Sequence, residues 1–249
     1  MIYLKKKRFL LVNLTLIIFI IFGTTAFVKA SKINDNIKIM LKDFKKNAVY
    51  NPEKSTDKIK YFLVSRETKE NRPAFADENF LYPGNYGDII VDLESPYYLP
   101  IIREMQTLFV GGHALFSYGE KILEITGNVF RTDNRVQFLN NDYILNDDLD
   151  HFVGLRVKEM SEADYVNLDL YLRAQIGKKY NYFYFFNTQN HFYCTDLISR
   201  AYAALEKNYN LNQNKGIVTV QDLVISDDTY IFMLKESNKD GTFNVYYLE

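Results

Sequence analysis

The sequence predicts an α+β fold built on an antiparallel sheet. From residue 88 onward, strand-like segments come first and last, and two helical segments lie between them. This order differs from the regular alternation of strands and helices that gives a parallel sheet. The predicted strands are DIIVDLE (88–94), HALFSY (113–118), KILEIT (121–126), FVGLRVKEM (152–160), YIFMLKE (230–236) and FNVYYLE (243–249).

Turn and capping residues set the limits of these elements. Gly119-Glu120 separates HALFSY from KILEIT by two residues, the length of a tight hairpin loop. Ser161 with Asp164 three residues later predicts a helix that ends at Gly177. The next helix is expected from Cys194 to about Leu205, and Thr219 is expected to cap a short turn around VQDLV.

The region before the first strand is predicted to be a helical extension. Residues 34–66 alternate apolar and charged positions and predict one or two amphipathic helices. The turn-rich residues 71–87 separate these helices from the first predicted strand. We therefore divide the chain into residues 1–30, a helical N-terminal extension at 31–80, and a main domain at 81–249.

The first thirty residues predict export. A basic stretch, KKKR at 5–8, precedes a long apolar run from Phe9 to Phe27, and Ala30 follows as the small residue expected at a cleavage site. The apolar run is also nearly the roughly 20 residues needed to cross a bilayer, so an uncleaved anchor is the alternative to a signal peptide. Both place the rest of the chain outside the cytoplasm, secreted or anchored to the outer face of the cytoplasmic membrane.

Charge and cysteine content exclude two further classes of protein, those that bind nucleic acid and those stabilised by disulfides. The chain has 30 Lys+Arg and 31 Asp+Glu; residues 1–30 contain five of the basic residues and none of the acidic ones, so the remainder has a net charge of 25 − 31 = −6. This negative balance argues against a nucleic-acid partner. With one cysteine no intrachain disulfide can form, and stability has to come from packing.

The single cysteine, Cys194, is the first candidate for chemistry. Leu197, Ile198, Ala201 and Leu205 follow it on one face of the predicted helix, which places Cys194 in the first turn. Unpaired N–H groups and the positive end of the helix dipole there lower a thiol pKa. The alternative is a buried cysteine that acts as a small apolar residue.

His113 is the candidate base for this thiol. Of the three histidines, His191 lies too close to Cys194 in sequence to approach one substrate atom with it, and His151 lies in a polar, acidic turn. His113 follows two glycines and begins a strand, where its ring can project from a sheet edge. A half-buried sheet histidine without a catalytic role is the alternative.

The predicted hairpin supplies a third residue. If Gly119-Glu120 is the turn, Leu115 faces Glu124 and His113 faces Thr126, which places His113 and Glu124 on one face of the sheet. A carboxylate there can hold the imidazole tautomer, as in a catalytic triad. Asp88 is the fallback for this role, because a one-residue slip in register would move Glu124 to the other face.

These segments together resemble a known family. GDII on a strand, GGHALF, LEITG and, far downstream, YCTDLISRAY resemble the circularly permuted papain-like cysteine hydrolases, most closely the YiiX/YebB-like branch of the NlpC superfamily. The resemblance covers roughly residues 82–235, and Val220 stands where the family carries a proline. It implies a permuted papain-like antiparallel sheet packed against the cysteine-bearing helix.

The resemblance also implies roles for individual residues. Cys194 would be the nucleophile, His113 the base and Glu124 the polar third member, and Tyr193 becomes a candidate for shaping the oxyanion site. The third member varies among relatives, so Glu124 is the least secure of the three.

We therefore expect an exported cysteine hydrolase that cleaves an amide bond through a thiol acyl-enzyme, with cell-wall peptides as substrate. An acyl-lipid or N-acyl amide hydrolase or acyltransferase is one alternative, favoured by the tyrosine-rich loop 180–192. A non-catalytic exported binding domain is the other. We expect no cofactor and no structural metal, and membrane attachment, if present, through residues 9–27.

Overall fold

The computed structural model describes residues 2–66, 72–95, 99–127, 133–146, 151–184, 188–212 and 216–248, with side chains from residue 23 onward. Its helices are α1 (Ile2–Lys45), α2 (Pro100–Phe109), α3 (Glu162–Arg173), α4 (Cys194–Ala203) and α5 (Val220–Ile225). Its strands are β1 (Val49–Asn51), β2 (Ile59–Val64), β3 (Ile89–Asp92), β4 (His113–Tyr118), β5 (Lys121–Glu124), β6 (Gln137–Asn140), β7 (His151–Val157), β8 (Lys179–Tyr180), β9 (His191–Phe192), β10 (Thr229–Ser237) and β11 (Phe243–Leu248).

Nine of these strands form one sheet, in the order β1-β2-β11-β10-β7-β3-β4-β5-β6. Neighbouring strands are antiparallel except β11 and β2, which are parallel. The predicted α+β class with an antiparallel sheet is therefore confirmed. The histidine strand precedes the cysteine helix in the chain, the order that a permuted arrangement requires.

The cysteine-bearing helix α4 packs on strand β4. Leu197, Ile198, Ala201 and Tyr202 are almost fully buried on its inner face, and the Tyr202 ring lies 5.7 Å from that of Phe116 on β4. Apolar residues three and four positions apart form one continuous face of a helix, and this face of α4 packs against the sheet along the length of the helix. The first turn of α4 is thereby fixed beside the start of β4.

The hairpin has the predicted register. Tyr118 pairs with Lys121, Ser117 with Ile122 and Phe116 with Leu123. Gly119 has a positive φ of 70°, a conformation that glycine adopts without strain. The two capping predictions are also confirmed: Ser161–Asp164 opens α3 and Thr219–Asp222 opens α5, each as a reciprocal capping box.

The N-terminal extension differs from the prediction in one part. Residues 34–66 are helical only as far as Lys45, and Ile59–Val64 form β2 instead of a second helix. β2 pairs with β11 over six residues, so this segment belongs to the main sheet. Its burial alternates along most of its length, which suits a strand with one face against the core.

α2 was not expected from the sequence. It lies between β3 and β4 and begins with Pro100, a residue favoured in the first helical turn. From residue 23 onward, where side chains are described, no helix combines the length and the apolar character needed to cross a membrane.

Candidate active site

His113 and Glu124 lie side by side on the hairpin. His113 Nε2 is 2.8 Å from Glu124 Oε2, a hydrogen-bonding distance. The carboxylate is almost fully buried and the imidazole mostly so. The contact follows from the hairpin register, which puts the two residues on the same face as diagonal neighbours.

Cys194 completes a three-residue cluster with them. It is the first residue of α4, and its thiol lies close enough to His113 for each group to shift the pKa of the other. Since Nε2 of His113 is directed at Glu124, Nδ1 is the ring nitrogen left for the thiol. The backbone N–H groups of Ala114, on β4, and of Thr195, on α4, also lower the pKa of the thiol.

These contacts stabilise charge on both partners. Burial alone would lower the pKa of His113, but the hydrogen bonds and charges of Cys194 and Glu124 outweigh it and raise this pKa to about 10. Burial alone would raise the pKa of Cys194, but the hydrogen bond and charge of His113, with the two backbone N–H donors, lower it. The favoured state is a thiolate beside an imidazolium, the reactive form of a cysteine nucleophile.

Asp88, the fallback orienter, is not brought to His113. Its carboxylate forms a buried two-point ion pair with Arg156, with distances of 2.7 and 2.6 Å to Nε and Nη2. Asp92, not Asp88, pairs with His113 across β3 and β4. Asp88 lies four residues further along the strand, about 13 Å away, and its contacts are structural.

Tyr193, the candidate for the oxyanion site, caps α4 with extended backbone and no side-chain capping bond. Its buried hydroxyl accepts a hydrogen bond from the Val218 N–H at 3.0 Å. Its ring centroid lies 5.2 Å from that of Tyr184. The side chain therefore fixes the approach of the chain to Cys194. Burial is the main cause that raises the pKa of Tyr193 to about 12, and the charge of Cys194 adds to it.

Two residues at the site were missed by the sequence analysis. Asp92 faces His113 across the sheet; burial raises its pKa to about 6, against the effects of the Glu94 N–H and of His113. Tyr143 is buried near Glu124, Asp92 and Cys194, and burial followed by these negative charges raises its pKa well above the ordinary value. Asp92 reaches the site through the pairing of β3 with β4, and Tyr143 lies near residues that are distant from it in the chain. Neither arrangement leaves a local signal in the sequence.

The two glycines before His113 have a packing role. A Cβ on Gly112 would lie 2.0 Å from the carbonyl oxygen of Glu94, and one on Gly111 would lie 2.6 Å from Cβ of Val220. Gly111 also has a positive φ of 81°. These two glycines therefore let the backbone pass close to the end of β3 and to the start of α5.

A cavity of about 880 Å³ opens beside the cysteine helix. Tyr180 lines it and also interacts electrostatically with Cys194. The remaining lining is mixed in character, with Asp133, Asn134, Arg135, Gly177, Lys179, Asn181, Tyr182, Phe183, Thr188 and His191. Within the described residues, no group of three or more His, Cys, Asp or Glu side chains is arranged to hold a metal ion.

Comparison with known proteins gives one structural similarity. The chain is similar to a solved structure described as "Crystal structure of metalloprotein yiiX from Escherichia coli O157:H7, DUF1105", with a TM-score of 0.40 and 16% sequence identity over 59% of this chain and 95% of that chain. No family model matches the sequence, and no curated protein matches it. At this level of similarity, the chemistry of the site has to be judged from its own geometry.

Proposed function

We propose that the protein is an exported cysteine hydrolase that cleaves an amide bond in cell-wall peptides through an acyl-enzyme on Cys194. The observation that carries this proposal is the arrangement of Cys194, His113 and Glu124: the imidazole is hydrogen-bonded to a buried carboxylate and interacts with the thiol, whose pKa it lowers. Export is supported by the basic and apolar stretches of residues 1–30.

In the first half of the reaction, the Cys194 thiolate attacks the carbonyl carbon. His113 then gives its Nδ1 proton to the leaving nitrogen as the carbon–nitrogen bond breaks. The first N–H groups of a helix have no partner within the helix, so the Cys194 N–H is the donor available to stabilise the oxyanion. Glu124 accepts from Nε2–H and keeps the ring in the productive tautomer.

In the second half, neutral His113 removes a proton from water, and the resulting hydroxide attacks the thioester. The acid leaves and the thiolate–imidazolium pair re-forms. No cofactor is needed for this cycle, and each proton that His113 gives up is replaced from the attacking water.

The cavity supports a peptide substrate. Its lining carries both signs of charge, with Arg135 and Lys179 beside Asp133, which suits peptides with free carboxylate and amino groups. Cys194, His113 and Glu124 are not among the lining residues, but Tyr180 is, and its pKa is raised in part by Cys194. The cavity is therefore proposed as a neighbouring subsite for the part of the peptide away from the scissile bond.

A second candidate is an acyl-lipid or N-acyl amide substrate. The specific observation that favours it is the exposure of aromatic rings beside Cys194: Phe183 is 71% exposed, and Tyr182 and Tyr184 are also open to solvent. Exposed apolar surface of this kind can hold an acyl chain.

The experiment that tests the proposal is mass spectrometry of the full chain after incubation with peptidoglycan fragments and, separately, with phospholipid and N-acyl amide vesicles. We expect cleaved peptides from the wild type and none from Cys194→Ser. Glu120→Gln, in the exposed turn of the same hairpin, serves as a control that keeps activity. An acyl adduct on Cys194 in the vesicle arm alone would favour the second candidate, and neither product nor adduct in either arm would contradict a hydrolase.

A further inference from the structure

Helix α2 is amphipathic with its apolar side turned away from the protein. None of its residues is buried. Ile101 is 74% exposed, Met105 58% and Ile102 47%, and Phe109 and the preceding Leu99 are also exposed. Ile101, Met105 and Phe109 are spaced four residues apart and so share one face.

The polar side of α2 faces the domain. The Ser95 N–H donates to Thr107 Oγ1 at 2.9 Å, and Ser95 Oγ donates to Gln106 Oε1 at 3.0 Å. The side chain of Gln221 donates to the Thr107 carbonyl oxygen at 2.7 Å. A surface helix of a soluble domain normally has the opposite orientation, with its apolar stripe against the core.

The C-terminal end of α2 contacts α1 where the apolar run of α1 ends. The side chain of Asn34 donates to the Leu108 carbonyl oxygen at 2.9 Å. Ala26, Ala30 and Ile33 line one groove together with Leu108 and Phe109. The exposed face of α2 therefore lies beside the end of the apolar run from Phe9 to Phe27.

The apolar run has the dimensions of a bilayer segment. Residues 9–27 contain no charged residue and are bracketed by KKKR at 5–8 and by Lys29. They lie within one continuous helix, Ile2–Lys45, and eighteen helical steps extend about 27 Å, close to the hydrocarbon thickness of a membrane.

We propose that residues 9–27 of α1 lie in a bilayer and that α2 is an interfacial helix on the same membrane, with its face of Leu99, Ile101, Ile102, Met105 and Phe109 in the bilayer surface. Such helices bury their apolar face roughly 5–10 Å into the boundary between headgroups and acyl chains. A second point of contact beside α1 restricts rotation of the domain about its anchor.

This attachment also places the candidate active site at the membrane surface. α2 joins Asp92, at the end of β3, to His113, at the start of β4, and only Val110–Gly112 separate Phe109 from His113. Four residues span at most about 14 Å. The docking surface does not depend on the catalytic proposal, because it includes no residue of the Cys194 cluster.

The absence of tryptophan from the chain provides a direct test. Ile101→Trp places one fluorophore on α2, and Leu170→Trp places one at a 63% exposed position on α3. α3 lies near the opposite end of β4, since Asp169 contacts Tyr118. Each full-length variant is reconstituted into vesicles of phosphatidylcholine and phosphatidylglycerol, with and without bromine on the acyl chains.

We expect Ile101→Trp to show a blue-shifted emission and severalfold stronger bromine quenching than Leu170→Trp. Adding Ile102→Glu and Met105→Glu to Ile101→Trp should abolish the difference, with Cys194 alkylation unchanged as evidence of folding. Equal quenching at both positions would overturn the proposal. A blue shift without bromine quenching would also overturn it, because it would mean that protein covers this face.

Discussion

Loss of the Glu124 charge should weaken the ion pair at the active site. Glu124→Gln keeps the shape of the side chain and its capacity to accept a hydrogen bond, but it removes the negative charge 2.8 Å from His113 Nε2. Cys194 is then the main remaining group that raises the pKa of His113. The pKa of His113 should fall, and that of Cys194 should rise, because each charge stabilises the other.

The size of the effect follows from the burial of the pair. A hydrogen bond to a charged group contributes about 1.5–3 kcal/mol, and one pH unit corresponds to about 1.36 kcal/mol. The titration of His113, with a pKa of about 10 in the native chain, should therefore move down by roughly one to two pH units. Exposed pairs give smaller effects, but the Glu124 carboxylate has little access to solvent.

The assay is an NMR titration of the imidazole Cε1–H signals, assigned by loss of one signal in His113→Gln. Glu120→Gln is the matched control, since it removes a carboxylate from the exposed turn of the same hairpin. We expect its titration to equal that of the wild type. A wild-type His113 that titrates near the ordinary value of about 6.5, or a Glu124→Gln variant identical to wild type, would refute the reasoning.

Two further predictions concern Asp92, the last residue of β3, and Asp88, which directly precedes β3. Burial raises the pKa of Asp92 from 3.8 to about 6. The folded state therefore binds this proton more tightly than the unfolded state does. Protonation of Asp92 stabilises the fold at low pH, and this stabilisation is lost as pH rises through about 6. Asp92→Asn replaces the carboxylate with a neutral group. It should therefore raise the free energy of unfolding at pH 7 by up to about 3 kcal/mol and have little effect near pH 3.5, where Asp92 is already protonated. Urea titrations at both pH values measure this, and destabilisation at pH 7 would contradict it. Asp88→Ala leaves the buried Arg156 without its counter-charge and should lower the free energy of unfolding by about 3–5 kcal/mol. The pH dependence of Cys194 alkylation should stay as in the wild type. If that pH dependence shifted as in Glu124→Gln, Asp88 would be part of the site.

Local signals in the sequence were sufficient for the hairpin and the helix starts. A two-residue turn at Gly119-Glu120 fixes which residues face each other, so the contact between His113 and Glu124 could be predicted from the hairpin sequence alone. The start of α4 at Cys194 followed in the same way from the apolar spacing after it.

The features that were missed depend on residues distant in the chain. β2 becomes a strand because it pairs with β11, at the other end of the chain, and an alternating segment carries no information about such a partner. Asp92 reaches His113 only through the pairing of β3 with β4, with α2 inserted between them. α2 differs from an ordinary surface helix, which packs its apolar side against the core, because the polar side of α2 faces the domain.

The most direct test of a catalytic thiolate is the rate of Cys194 alkylation by iodoacetamide as a function of pH, read by intact mass. The native chain contains one thiol, so every adduct reports on it. We expect labelling to begin well below the pKa of about 8.5 of a free thiol and to move up towards that value in His113→Gln. Labelling of the native chain centred near the free-thiol value, or unchanged in His113→Gln, would contradict a Cys194–His113 ion pair and with it the proposed hydrolase.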